Sequence, residues 1–134
     1  MLKNVLSPLT EKSFALLRIV SGFMLSFHGM QKVLHILSTF QPSVGSQLWI
    51  GGLIELVCGI LIGIGLFTRE AAFLASGTMA VAYIQFHWKF QLGSALIPTI
   101  NQGELAALYA WVFFLIACRG AGNWSVDERR AKKV

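Results

Sequence analysis

Long apolar runs separated by short polar breaks dominate the chain. Four segments stand out, about 14–34, 48–67, 69–90 and 104–119. Each is close to the ~20 residues an α-helix needs to cross a hydrocarbon core. The breaks carry helix punctuation. Ser7-Pro8 suits the start of a helical lead-in. Thr68 is placed to cap the third helix, with Glu70 in its first turn. Asn101 and Glu104 have the spacing of a capping box for the fourth, and Gly120 and Gly122 suit its exit. The second and third segments meet at Thr68-Arg69-Glu70, a turn so short that they must run antiparallel. The pattern predicts an all-α fold: one integral membrane four-helix bundle over 1–134, closed by a basic tail, 120–134.

Composition supports lipid rather than water as the surrounding solvent. The chain is 55% hydrophobic and 13% charged, where a soluble domain has about 25% charged residues. Its mean hydropathy is +0.66. The net charge of +5 does not form a stripe for nucleic acid. If both termini are cytoplasmic, that side holds Lys3, Lys12, Arg18, Arg69, Arg119, Arg129, Arg130, Lys132 and Lys133. The other side holds only Lys32 and Lys89. This is the positive-inside pattern of an N-in, C-in multi-pass membrane protein. Trp49 and Trp88 then fall near the outer interface and Trp124 near the inner one. No small-residue cleavage site follows the first run, which argues against a signal peptide. Cys58 and Cys118 form no C-x-x-C pair, and a disulfide between them is not expected.

The polar residues inside the runs are the candidate chemistry. Glu55 lies in GGLIELVCGILIGIGLF, about 10 Å below the outer end of its helix at ~1.5 Å per residue. Gly52, Glu55, Gly59 and Gly63 share its face, so Glu55 points at other helices. Arg18, Ser21, Leu25, His28 and Lys32 form a stripe on the first helix. Arg69, Phe73, Ser76, Ala80, Tyr83 and His87 form one on the third. The topology brings His28, Lys32, Glu55, His87 and Glu104 to one layer. Ionisable groups at such depth face a bundle interior or a wet cavity. Plain alternatives stand beside this: Glu104 as a cap, Lys32 snorkelling to headgroups or pairing with Glu55, Tyr83 as packing, and Arg18 snorkelling or pairing with Glu70.

At these residues the chain resembles the DoxX family of small four-helix bacterial membrane proteins. The matching pieces are Arg18-x-x-x-Gly22, Phe27-His28-Gly29 with Lys32, and Gly51-Gly52-x-x-Glu55-x-x-x-Gly59. They continue through Gly63-x-Gly65-Leu66-Phe67-Thr68-Arg69, His87, Gly103-Glu104 and Gly120-Ala121-Gly122-x-x-Ser125-x-Asp127. Ala121 stands where such proteins often carry proline. The resemblance implies an inner-membrane bundle, and some relatives are tied to quinone-linked sulfur oxidation, quinol oxidases or redox-protective complexes.

Three functions are therefore open. In the first, the chain is a quinone- or quinol-interacting subunit of a membrane oxidoreductase. His28 and Glu55 are then the catalytic proton acceptors, and His28, Lys32, Glu55, Tyr83, His87 and Glu104 form the quinone site. The chain holds no flavin, haem or iron–sulfur motif, so electrons need a redox partner subunit. The second is a metal or haem site built from two histidines and two carboxylates, which no H-x-x-x-H or E-x-x-H spacing supports. The third is a membrane scaffold or small-molecule carrier, working as a homo-oligomer.

Overall fold

The computed structural model describes residues 2–133, which form helices and turns with no strand among them. The four longest helices are α1 (Thr10–Val33), α2 (Gln47–Ile64), α3 (Thr68–Ala82) and α4 (Glu104–Arg119). Helix α5 (Val126–Ala131) follows in the C-terminal segment. Two helical stretches, Leu2–Val33 and Gln47–Ile64, are long and apolar enough to cross a membrane. Buried positions recur at helical spacing on each long helix, for example Arg18, Ser21, Gly22, Leu25, Ser26 and Gly29 on α1. These inward stripes meet around Leu25, Ile62, Ala72, Phe113 and Ile116. Outward faces are apolar too, with Val20, Phe23, Val57, Ile60, Phe73 and Trp111 all exposed.

Helix limits depart from the sequence expectation where local chemistry intervenes. Helix α1 starts four residues early, at Thr10, because nothing in Thr10-Glu11-Lys12-Ser13 breaks it. Helix α2 stops at Ile64, where Gly65 takes a left-handed conformation (φ +73°) and its N–H returns to the Leu61 and Ile62 carbonyls. Thr68 is not a cap: the residue before the helix is Phe67, itself left-handed, and Thr68 is the first helical residue. Beyond Ala82 the third helix widens into a π-helical turn, Tyr83–Trp88, closed by the Lys89 N–H on the Ile84 carbonyl at 2.8 Å. Asn101 and Glu104 do not form a capping box. Asn101 Oδ1 accepts from the Gly103 N–H (2.8 Å), while Glu104 accepts from the Thr99 hydroxyl (2.8 Å).

Glycines set the closest contact, between α1 and α2. A Cβ on Gly29 would stand 2.3 Å from the Leu56 nitrogen, and one on Gly59 2.5 Å from the Ser26 nitrogen. Backbone meets backbone there, and no side chain can yield. Gly29→Ala is therefore expected to destabilise the bundle by about 1–3 kcal/mol, the usual range for overpacking. Thermal unfolding in detergent measures it; an unchanged midpoint would contradict the packing.

The opposite end is tied by side chains that cap helix termini from a distance. Helix ends leave carbonyls and N–H groups without partners. Arg18, fully buried, donates to the Ile62 and Gly63 carbonyls at the end of α2 (2.7 and 2.8 Å). Its other terminal nitrogen donates to the Asn123 and Trp124 carbonyls (3.2 and 3.0 Å). Arg18 thus pairs with backbone, not with Glu70. Arg69 holds the Ala117, Cys118 and Arg119 carbonyls at the end of α4. The segment after residue 119 is more than a basic tail. Ser125 caps α5 by accepting from the Glu128 N–H (3.1 Å), and Asp127 accepts from the Phe67 and Thr68 N–H groups and the Thr68 hydroxyl. Both cysteines are free.

Asp127 titrates below the ordinary aspartate range. Burial raises its pKa, but the hydrogen bonds from Thr68 and Phe67 and the charge of Arg130 together outweigh that. A carboxylate favoured in the folded state stabilises fully above the unfolded aspartate value, ~3.9. That contribution is lost as pH falls through the lowered folded value. Asp127→Asn is expected to melt lower than wild type near neutral pH by about 1 kcal/mol. The gap should narrow as the pH falls below ~3.9 and through the lowered folded value. Parallel pH profiles for the two proteins would contradict this assignment.

Candidate functional site: a polar cavity behind a buried ion pair

Glu55 is 3% exposed, and its two oxygens accept from Lys32 Nζ at 2.6 and 2.8 Å. The pair forms because Gly52 and Gly59 bring α2 against α1, with Gly52 directly against the Lys32 stem. The lysine side chain keeps a quarter of its surface exposed and the glutamate only 4%. Isolated, a carboxylate this deep costs several kcal/mol, and the paired ammonium with its two hydrogen bonds offsets that.

A cavity of about 250 Å³ opens behind the pair. His28 and Lys32 of α1, Glu55 of α2, Ala82 and His87 of the third helix, and Gln102 and Tyr109 at and within α4 wall it. His87 Nδ1 lies 3.3 Å from the Asn101 carbonyl. A proton on Nδ1 donates there and leaves Nε2 as an acceptor. Asn101 is itself held by its amide, which donates to the Ala95 carbonyl (2.9 Å) and the Tyr83 hydroxyl (3.3 Å).

Of the six residues expected from sequence, the structure brings His28, Lys32, Glu55 and His87 to this cavity. Tyr83 and Glu104 do not line it. Tyr83 keeps the face of Ser76 and Ala80 and lines a separate space with them and Trp111; the π-helical stretch Tyr83–Trp88 parts it from His87, which does line the cavity. Glu104 is exposed and bonded to Thr99. Tyr109 and Gln102 were not expected. Tyr109 is 5% exposed, stacks on Phe113 (5.3 Å) and meets His28 edge-on (6.4 Å). Its hydroxyl is buried and has no hydrogen-bond partner among the described residues. The signal was in the sequence: Ala106, Tyr109, Phe113 and Ile116 form the inward stripe of α4, and tyrosine is its polar member. Among the described residues no group of three His, Cys, Asp or Glu side chains is placed to hold a metal ion.

The sequence model of the DoxX family matches residues 13–88, more than half of the chain. The chain belongs to the DoxX family. Curated relatives extend the likeness over nearly its full length. It is 39% identical to an uncharacterized protein of Haemophilus influenzae over 123 residues, 89% of this chain and 91% of that one. It is 29% identical to the inner membrane protein YphA of Escherichia coli over 130 residues, 95% of this chain and 91% of that one. No solved structure matches it. The matched span of this DoxX chain includes His28, Lys32, Glu55 and His87, but ends before Gln102 and Tyr109.

Proposed function

We propose that this DoxX chain crosses the bacterial inner membrane four times with both termini cytoplasmic, and that its polar cavity holds the head of a quinone or quinol. Apolar outward faces, the basic residues gathered at one end, and a relative named as an inner membrane protein support the membrane reading. The single observation that carries the functional reading is the cavity itself. A lysine–glutamate salt bridge, two histidines and a tyrosine whose hydroxyl is buried without a partner among the described residues wall a small space inside an oily bundle.

The residues fit such a head group. Tyr109 offers an unused donor, His87 Nε2 an acceptor, and Lys32 a charge already balanced by Glu55. Quinol oxidation in such a site releases electrons and protons. His28 and Glu55 are placed to take the protons, and His87 to pass them toward Gln102 and the loop after α3. Tyr83 acts at one remove, through Asn101 and its hold on His87. Electrons leave through a partner subunit, since this chain holds no flavin or iron–sulfur motif.

Mild extraction and quinone analysis test the reading. Wild type is expected to retain or rebind quinone, and His28→Leu to lower that affinity about tenfold. Wild type without quinone, and deaf to added quinone, would sink it. Labelling at residues 40 or 95 should report the outer face and at the C-terminus the inner face; an outer C-terminus would overturn the four-span topology.

A further inference from the structure

Two helix glycines have no structural reason to be glycine. A Cβ on Gly29, Gly52 or Gly59 would strike a neighbour at 2.3–2.6 Å, whereas one on Gly51 or Gly77 would meet nothing within 4 Å. Glycine inside a helix is unfavourable relative to alanine. Gly51 and Gly77 stand on α2 and α3 and both open onto one groove between those helices, about 410 Å³ in volume. Ile54, Phe73, Leu74 and Val81 make its walls, so it is almost wholly apolar. The groove adjoins the polar cavity: Lys32, Glu55 and Ala82 wall both.

We infer that this groove receives the apolar chain of an amphiphile whose uncharged, oxygen-bearing head enters the polar cavity and accepts a hydrogen bond from Tyr109. This rests on the quinone reading and assigns the tail its place. Three observations choose the occupant. The absent side chains at 51 and 77 clear a channel where no protein atom fills the space. The buried Tyr109 hydroxyl lacks an acceptor, which a carbonyl oxygen supplies. The cation nearest the head, Lys32, is neutralised by Glu55, so the site offers no free charge to a phosphate. A neutral quinone with an isoprenoid tail meets all three; a phospholipid, whose ester carbonyls also accept hydrogen bonds, fails the third.

Binding of a tailed quinone and its tailless analogue to purified protein in phosphatidylethanolamine–phosphatidylglycerol vesicles tests the inference. Gly77→Leu builds into the groove from a position where a Cβ meets nothing within 4 Å, and Gly51→Leu does so from the other wall. Both are expected to melt no lower than wild type and to bind the tailed quinone about tenfold more weakly, with tailless binding unchanged. Tyr109→Phe should weaken both ligands by about fivefold. If neither glycine variant changes tailed-quinone affinity, the groove assignment falls while the head site stands. A change of oligomeric state with quinone affinity intact makes the groove a face for a second copy and overturns the inference. Loss of bound phospholipid, with quinone affinity intact, overturns it as well. Failure of wild type to bind either quinone instead removes the reading beneath it.

Discussion

Arg18→Met is expected to lower the stability of the bundle by about 3–5 kcal/mol, the largest effect of any single substitution considered. Four main-chain carbonyls, those of Ile62, Gly63, Asn123 and Trp124, share its guanidinium. Hydrogen bonds to a charged donor are worth about 1.5–3 kcal/mol each, but the carbonyls regain some water when freed, so the sum does not apply. Arg18 is fully buried, and methionine keeps most of its volume while removing every donor. Arg18→Lys separates charge from geometry: an ammonium cannot fork toward two chain segments at once, so it should recover less than half the loss. Thermal or denaturant unfolding of the three proteins measures this. Equal midpoints for wild type and Arg18→Met would show that the carbonyls do not depend on it.

Arg18 also marks the limit of what the sequence could convey. Its inward stripe was legible, because Arg18, Ser21, Leu25 and His28 repeat at helical spacing. Its partners were not, because two lie more than 100 positions away in a stretch with no periodicity. The long helices were readable for the same reason that their ends were not. Apolar periodicity spans many residues and averages out error, whereas an end is set by one backbone conformation. Gly65 ends α2 through a left-handed φ of +73°, a recognised glycine role. Phe67, left-handed without being glycine, is held by Asp127 on its N–H and carries no local signal.

The candidate site follows the same division. Lys32 and Glu55 were legible as a pair because depth and face could both be counted along regular helices. Tyr83 was grouped with His87 because that count assumed 3.6 residues per turn through Tyr83–Trp88, where the chain is π-helical. Glu104 was grouped by depth alone; its face and its Thr99 partner direct it outward. Tyr109 escaped notice because an aromatic on an inward stripe reads as packing. Only the structure reveals that its hydroxyl is enclosed and unpaired.

Glu55→Gln is expected to cost about 3 kcal/mol and to abolish most quinone binding. Glutamine preserves shape and volume, so packing between Gly52 and Gly59 should survive. What changes is charge: Lys32 loses the partner that its Nζ now meets at 2.6 and 2.8 Å. Breaking a buried pair from one side costs ~3–5 kcal/mol. The value here belongs at the low end, because a quarter of the lysine side chain remains exposed and the ammonium can turn toward water. Glu55→Gln with Lys32→Met removes the stranded charge and should restore most of the stability, since buried pairs are replaced by apolar or neutral groups at little net cost. Quinone binding separates structure from function. If the pair only joins α1 to α2, the double variant recovers stability and binds quinone like wild type. If Glu55 takes a proton and Lys32 frames the head, the double variant recovers stability alone, and its quinone affinity stays at least about tenfold below wild type. The second outcome is expected, because both residues wall the cavity that holds His28, His87 and the unpartnered Tyr109 hydroxyl.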